Sequence, residues 1–225
     1  MATPEKMGLR ERKKHLTRET IADAALALSV ERGLANVTLD EIANLAFVSA
    51  RTVSNYFSCK EEAVARAGAH DLLELVDAFT LRPADEPPMD ALRQVLIDFA
   101  ASLSPERLRV ERQKLEVEQE YPALHPYQVA QYDELEASLR EAIAARTHTN
   151  GDTDVYPWIA AAAAVSAISS SIRLWARTES GPEALPELIG AAFDQIAGGL
   201  RPPSSAEDGA HASHGPPHRS AAAPA

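Results

Sequence analysis

Between residues 38 and 60 the chain starts two short helices only a few residues apart, and that spacing leaves few folds open to it. Thr38 and Glu41 form a capping box, in which the threonine oxygen accepts from a free backbone N–H and the glutamate reaches back to the cap. Behind them Leu39, Ile42, Ala43 and Ala46 recur at helical spacing, so one face is buried while Asp40, Glu41 and Asn44 point outward. Phe47, Val48 and Ser49 make a three-residue turn, and Ser49 caps a second helix from Ala50 to Tyr56. Val53 and Phe57, four residues apart, anchor that helix to a core. The spacing therefore predicts a helix-turn-helix.

Anchoring at Val53 and Phe57 turns Ala50, Arg51, Ser54 and Asn55 outward. A solvated helix has no need of this mixture of one guanidinium, one amide and small residues, whereas a helix lying in a DNA major groove uses it. Arginine grips guanine O6 and N7 in bidentate fashion, asparagine does the same for adenine, and small side chains permit close approach. Ser49, Thr38, Thr52, Tyr56 and Lys60 sit around the rim, where hydroxyls and an ammonium hold phosphates and fix orientation. Plain helical bundles also contain two short helices with such a turn, so geometry alone does not choose.

The wording of the stretch does. The run Ile21 to Leu28, then Glu31, Arg32 and Gly33, Thr38 to Ala46, Val48 and Ser49, Thr52, Tyr56 and Phe57, and Lys60 and Glu61 resembles, in order and spacing, the N-terminal signature of the tetracycline-repressor (TetR) family of transcriptional regulators. The resemblance covers residues 17–65. Three positions depart from it. Phe47 stands where the family has glycine, which takes positive φ without steric cost, so strain or an altered turn is expected there. Ser54 stands where the family favours an aromatic, which shifts recognition toward Arg51 and Asn55. Ser29 replaces a common buried aromatic, implying a differently packed first helix.

The formal charge of −11 alone argues against nucleic acid, but the charge is unevenly placed. Residues 1–60 hold nine Lys and Arg against seven Asp and Glu, and the remainder holds thirteen against twenty-six. A mildly basic head on an acidic body suits a protein that offers DNA one end only. The single cysteine, Cys59, excludes an internal disulfide, and with no apolar run behind the charged N-terminus a cytoplasmic protein without a secretory signal is expected. The most apolar run, residues 158–172, is broken by serines and is shorter than the roughly 18 residues of a membrane span.

An all-α chain of about nine helices is predicted. Residues 1–16, with Lys6, Arg10, Arg12, Lys13, Lys14 and His15, read as a flexible basic arm suited to the phosphate backbone or the minor groove, or else as a solvated terminus. The head spans 17–60, with a first helix over 17–32 that Gly33 stops. The body spans 61–200. A capping box at Ser58 and Glu61 opens a helix to Phe79 that links head to body and is the natural lever between them. Further helices are expected over 89–102, 104–120, 127–146, 157–179 and 183–200, and a disordered tail over 201–225. His211, His214 and His218 in that tail are too loosely spaced for a metal site.

No catalytic constellation or cofactor fingerprint is present: there is no G-x-S-x-G, no phosphate-cradling glycine loop and no H-E-x-x-H. The charges over 111–120 read as a solvated helix face. By resemblance, the last two helices form a dimer interface, a four-helix bundle through Ala161, Val165, Ile168, Leu188, Ala192 and Ile196. By the same resemblance the middle helices enclose an apolar cavity for a small effector, with Phe99, Leu103, Leu115, Tyr132, Trp158, Ile172 and Trp175 as candidate lining. The prolines after a charged helix and the run Asp154 to Trp158 look like a subset with acyl-CoA-like ligands. Arg173 either holds a carboxylate or phosphate or covers the surface with its stem. The expectation is a homodimeric regulator, most simply a repressor, on double-stranded DNA with a palindromic operator. The other reading is a ligand-binding or adaptor protein that keeps the head without using it on DNA.

Overall fold

Ten α-helices and two single-turn 3-10 segments make up the described residues of the computed structural model, which are 9–68, 70–178 and 180–201. Residues 1–8 of the basic arm and the tail from residue 202, with its three histidines, lie outside them.

The head is built from α1 (Leu9–Arg32), α2 (Leu39–Leu45), α3 (Ala50–Tyr56) and α4 (Lys60–Ala65). Ile21, Ala25, Leu28, Leu34, Ile42, Val53, Phe57 and Val64 form its core. Helix α1 begins eight residues before the expected start at Thr17. Thr17 does not cap it: its hydroxyl donates to the Lys13 carbonyl, and Thr20 does the same to Leu16, a bond that a helix interior accommodates. Arg10, Lys13, Lys14 and His15 therefore lie on a helix and not in a loose arm. Ser29 is buried and returns its hydroxyl to the Ala25 carbonyl at 2.7 Å, so a small polar residue is satisfied where an aromatic was missing.

The link to the body is not one helix. Its cap is Cys59, one residue after the expected Ser58: Glu62 accepts from the Ser58 amide at 2.8 Å, and its own N–H donates to Cys59 Sγ at 3.4 Å. Helix α4 then stops, and Gly68 turns the chain at φ +81° before α5 (His70–Thr80). A Cβ at Gly68 would meet Glu111 Oε1 and stand 2.6 Å from Arg107 Nη2. Only glycine takes this conformation while letting the backbone come so close to an ion pair.

The body continues with α6 (Pro88–Ser102), α7 (Pro105–Glu120), α8 (His125–Thr147), α9 (Val155–Arg177) and α10 (Ala184–Ala197). Ser104 caps α7 as expected, accepting from the Arg107 amide at 3.2 Å with Pro105 in the first turn. Phe79, Leu92, Leu96, Leu139, Ile143, Ala161, Ile168 and Ile189 fill the body core. Arg146, near the end of α8, holds the loop between α5 and α6 by donating to the carbonyls of Arg82, Pro83 and Glu86 while covering the Phe79 ring.

At 23 residues α9 is long and apolar enough to cross a membrane, by length and composition, which corrects the shorter run expected from 158–172. Half of its most apolar window is buried against α8, α10 and the rest of the body, the setting of a core helix. Ala161, Val165 and Ile168 lie on that buried side, at 0, 8 and 1% exposure. They are packed within their own chain, and the outer face of α9 is the opposite one: Ile159, Ala163, Ser166, Ser170 and Leu174. Leu188, Ala192 and Ile196 on α10 are half-buried and border it.

The two cores share a helix. Val117 of α7 and Leu124 of the 3-10 turn Pro122–Leu124 are buried in the head core, with Val110 and Tyr121 packed against it. The head core thus draws on residues well beyond 60.

Candidate DNA-reading surface and effector cavity

Helix α3 has the predicted ends and the predicted faces. Ser49 caps it, accepting from the Thr52 amide at 3.0 Å and pairing with the Thr52 hydroxyl at 2.8 Å. Val53 and Phe57, 0 and 2% exposed, lock its inner side. Arg51, Ser54 and Asn55 are exposed, while Ala50, Thr52 and Tyr56 are half-buried at the edges. The Ser54 hydroxyl turns back to the Ala50 carbonyl at 3.2 Å, so the freely extended polar groups of this face are the Arg51 guanidinium and the Asn55 amide.

The capping box before it is complete. Glu41 accepts from the Thr38 amide at 2.9 Å and from its hydroxyl at 2.8 Å, and donates its own N–H to that hydroxyl at 3.3 Å. Those Thr38 hydrogen bonds, helped by Arg32 at 3.1 Å, hold the Glu41 carboxyl below the usual glutamate range. Lys60, expected at a phosphate, donates to the Val37 carbonyl at 2.9 Å and the Ala35 carbonyl at 3.3 Å. It braces α4 to the chain entering α2.

Phe47 sits in the left-handed region at φ 54°, in the turn between α2 and α3, and 93% of it is exposed. The expected strain is therefore present, without any packing of the ring to offset it.

Behind the head, α6, α7, α8 and α9 enclose a cavity with about 50 Å³ of room for the centres of water molecules. Phe99, Leu103, Leu115, Tyr132, Ile172 and Trp175 line it, as the sequence suggested. Trp158 does not: it is 43% exposed and stacks under the Arg140 guanidinium at 3.9 Å. Arg173 is exposed and donates to Ser169 Oγ at 3.2 Å, close enough to act on Glu118 and Tyr132 by charge but outside the lining. Trp175 is held in place by the Arg112 guanidinium over its ring at 4.2 Å and by its indole N–H on the Gly181 carbonyl at 3.0 Å.

The cavity also has a polar wall that sequence reasoning missed. Glu111, Lys114 and Glu118 line it together with Gln128 and Gln131, so part of the supposedly solvated face over 111–120 points inward. Lys114 is 8% exposed and stands 3.9 Å from Glu118, which accepts from Gln128 Nε2 at 2.5 Å. Burial pushes the Glu118 carboxyl above the usual range, with Lys114 opposing. Burial likewise pushes the Tyr132 phenol up to about 12, which keeps it a hydrogen-bond donor. The signal was available: Glu111, Lys114, Leu115 and Glu118 recur at helical spacing, which puts them on one side of α7.

Comparison with known proteins accounts for both halves. The family model described as "Bacterial regulatory proteins, tetR family" matches residues 21–67, and that described as "MftR C-terminal domain" matches residues 86–201. A Mycobacterium tuberculosis (strain ATCC 25618 / H37Rv) protein named for the regulation of mycofactocin biosynthesis, MftR, is 31% identical over 199 residues, covering 84% of this chain and 93% of the relative. The HTH-type transcriptional regulator TcmR of Streptomyces glaucescens is 32% identical over 213 residues, covering 87% and 89%. Among solved structures, the SmeT–triclosan complex is 25% identical with a TM-score of 0.53 and covers 84% of this chain and 96% of its own.

Proposed function

Because the chain belongs to the TetR family of bacterial transcriptional regulators, we propose that it acts as a homodimeric repressor whose effector enters the cavity and releases it from a palindromic operator. The observation that carries this is the pairing of a rigidly anchored α3, presenting Arg51 and Asn55, with an amphipathic cavity behind it. Each copy sets α3 in a major groove, and two-fold symmetry fixes half-sites roughly 34–36 Å apart or at a multiple of that distance. Such a protein works beside the chromosome, in the cytoplasm.

Helix α7 supports the release step. Leu108, Glu111, Leu115 and Glu118 face the cavity, and Val110, Val117 and Tyr121 meet the head core on the other side. Tyr121 reaches so close to Gly33, at the end of α1, that a Cβ there would stand 2.7 Å from its hydroxyl. A ligand that repositions α7 therefore moves the seat of the head, whereas the broken link at Gly68 transmits a turn poorly. The effector shifts the equilibrium only by its differential affinity for the two arrangements.

Selection of bound duplexes from a random pool, repeated with metabolite extract, tests the proposal. A two-fold symmetric consensus that extract disperses is expected. Failure to enrich any sequence would favour a ligand-binding or adaptor role for the same fold.

A further inference from the structure

Helix α2 ends in a turn that its own hydrogen bonds hold firmly and that its side chain does not suit. The Val48 amide donates to the Ala43 carbonyl at 3.0 Å and the Phe47 amide to the Asn44 carbonyl at 3.2 Å, the paired bonds of a Schellman stop. That stop puts Phe47 in the left-handed region, a position that favours glycine or asparagine. Ala46 on one side is buried and Val48 on the other packs against the head core. The backbone under Phe47 is therefore fixed while its ring stands in solvent.

Among the described residues two other side chains share a positive φ, and neither poses the same question. His148 is of a type that tolerates the region, and Leu200 stands at the end of the described chain. Phe47 lies inside the helix-turn-helix. A bulky ring held at a strained position, with almost nothing of its own chain against it, points to a contact made outside the chain.

Its place in the motif says what that contact is. Phe47 stands two residues before Ser49, the cap of α3, and a helix that enters a major groove by its first residues brings this turn to the groove with it. The exposed side chains of α3 are Arg51, Ser54 and Asn55, so no large apolar group stands on that face. Arginine and asparagine suit guanine and adenine, which leaves thymine unread. The apolar group that base pairs present in the major groove is the thymine C5-methyl, and a phenyl ring is a partner for it. Within α2, α3 and the turn between them only Leu45 and Phe47 are exposed large apolar residues, too little surface for a protein partner or a lipid surface.

We infer that Phe47 reads a thymine methyl at the edge of each half-site, a contact that rests on α3 lying in the major groove as proposed above, and that only DNA offsets the strain of this turn. The duplex that the full-length chain selects from a random pool is remade with deoxyuridine in place of each thymine in turn, which removes the methyl alone. Anisotropy of the labelled duplex reads affinity for the parent, Phe47→Gly, Phe47→Asn and Arg51→Ala. Removing one methyl, beside the base pair at which Arg51→Ala relaxes selectivity, is expected to weaken the parent roughly fourfold, as burial of one methyl-sized group implies. Phe47→Gly and Phe47→Asn, with native helical content, are expected to bind the thymine and uracil duplexes alike, both as weakly as the parent binds the uracil one. Weaker binding by Phe47→Gly, a less strained protein, separates a lost contact from lost folding. A parent indifferent to every thymine methyl, or Phe47 variants that keep the parent's methyl preference, overturns the inference while Arg51→Ala still relaxes selectivity and upholds α3 as the reader. If Arg51→Ala leaves selectivity unchanged as well, the placement of α3 in the groove falls and this contact falls with it.

Discussion

Phe47 concentrates the local conflict in the head. A side chain in the left-handed region costs about 1–2 kcal/mol relative to glycine, and this one recovers nothing by packing, since 93% of it is in solvent. Phe47→Gly is therefore expected to stabilise the protein by about 1 kcal/mol, read as a higher denaturant midpoint. Arg51→Ala removes the guanidinium on the reading face, relaxing preference at one base position at a cost of about 1–3 kcal/mol in operator binding. Unchanged selectivity in a mismatch series would count against Arg51 as the reader. Thr38→Ala takes away the hydroxyl bond that does most to lower the Glu41 pKa and leaves the backbone N–H bond in place. A lowered folded-state pKa stabilises above the ordinary glutamate range and loses that effect as pH falls through the lowered value. The gap in melting temperature between the variant and the parent should accordingly be full at neutral pH and narrow in acid.

Among the elements, α7 was the least legible in the sequence. The Thr38 capping box, the serine caps and the stops at proline and glycine were written locally, and so α2, α3 and the start of α7 fell where Thr38, Ser49 and Ser104 put them, whereas the box expected at Ser58 and Glu61 gave way to a Cys59 cap. What surrounds α7 is a tertiary fact. Its charged composition suits solvent, yet packing buries Lys114 and the side chain of Glu118 on one side and Val117 on another. The same limit applied to α9, where the apolar stripe was plain but its partner was not: the stripe through Ala161, Val165 and Ile168 is taken by the molecule's own core. The break at Gly68 was missed because the helical pattern runs on through α4 and α5, while the positive φ answers to Arg107 and Glu111, far away in sequence. Leu124→Ala tests the strut. Leu124 is 0% exposed, belongs to the chain after α7 and yet fills the head core, so truncation should cost about 2–5 kcal/mol and weaken operator binding without touching the cavity. A variant with unaltered stability would show that the head does not lean on this segment.

For the whole molecule, the apolar surface left outside the core is where the proposed dimer is tested. Ile159 and Leu174, 63% and 48% exposed, flank the small residues Ala163, Ser166 and Ser170 on the outer face of α9. Small side chains let two such helices approach closely, with Leu188, Ala192 and Ile196 of α10 alongside. Ala163→Glu should yield monomers by sedimentation with native helical content, and operator affinity should collapse because both half-sites are no longer engaged together. A dimer indifferent to that charge would put the interface elsewhere. Helix α7, meanwhile, belongs to two neighbourhoods at once, and its two sides answer to different selective demands. On the proposed reading, a duplicated gene drifting toward a new signal has only to repaint Leu108, Leu115 and their cavity-facing neighbours, because Val117 and Tyr121, turned the other way, stay seated against the head whatever the cavity takes.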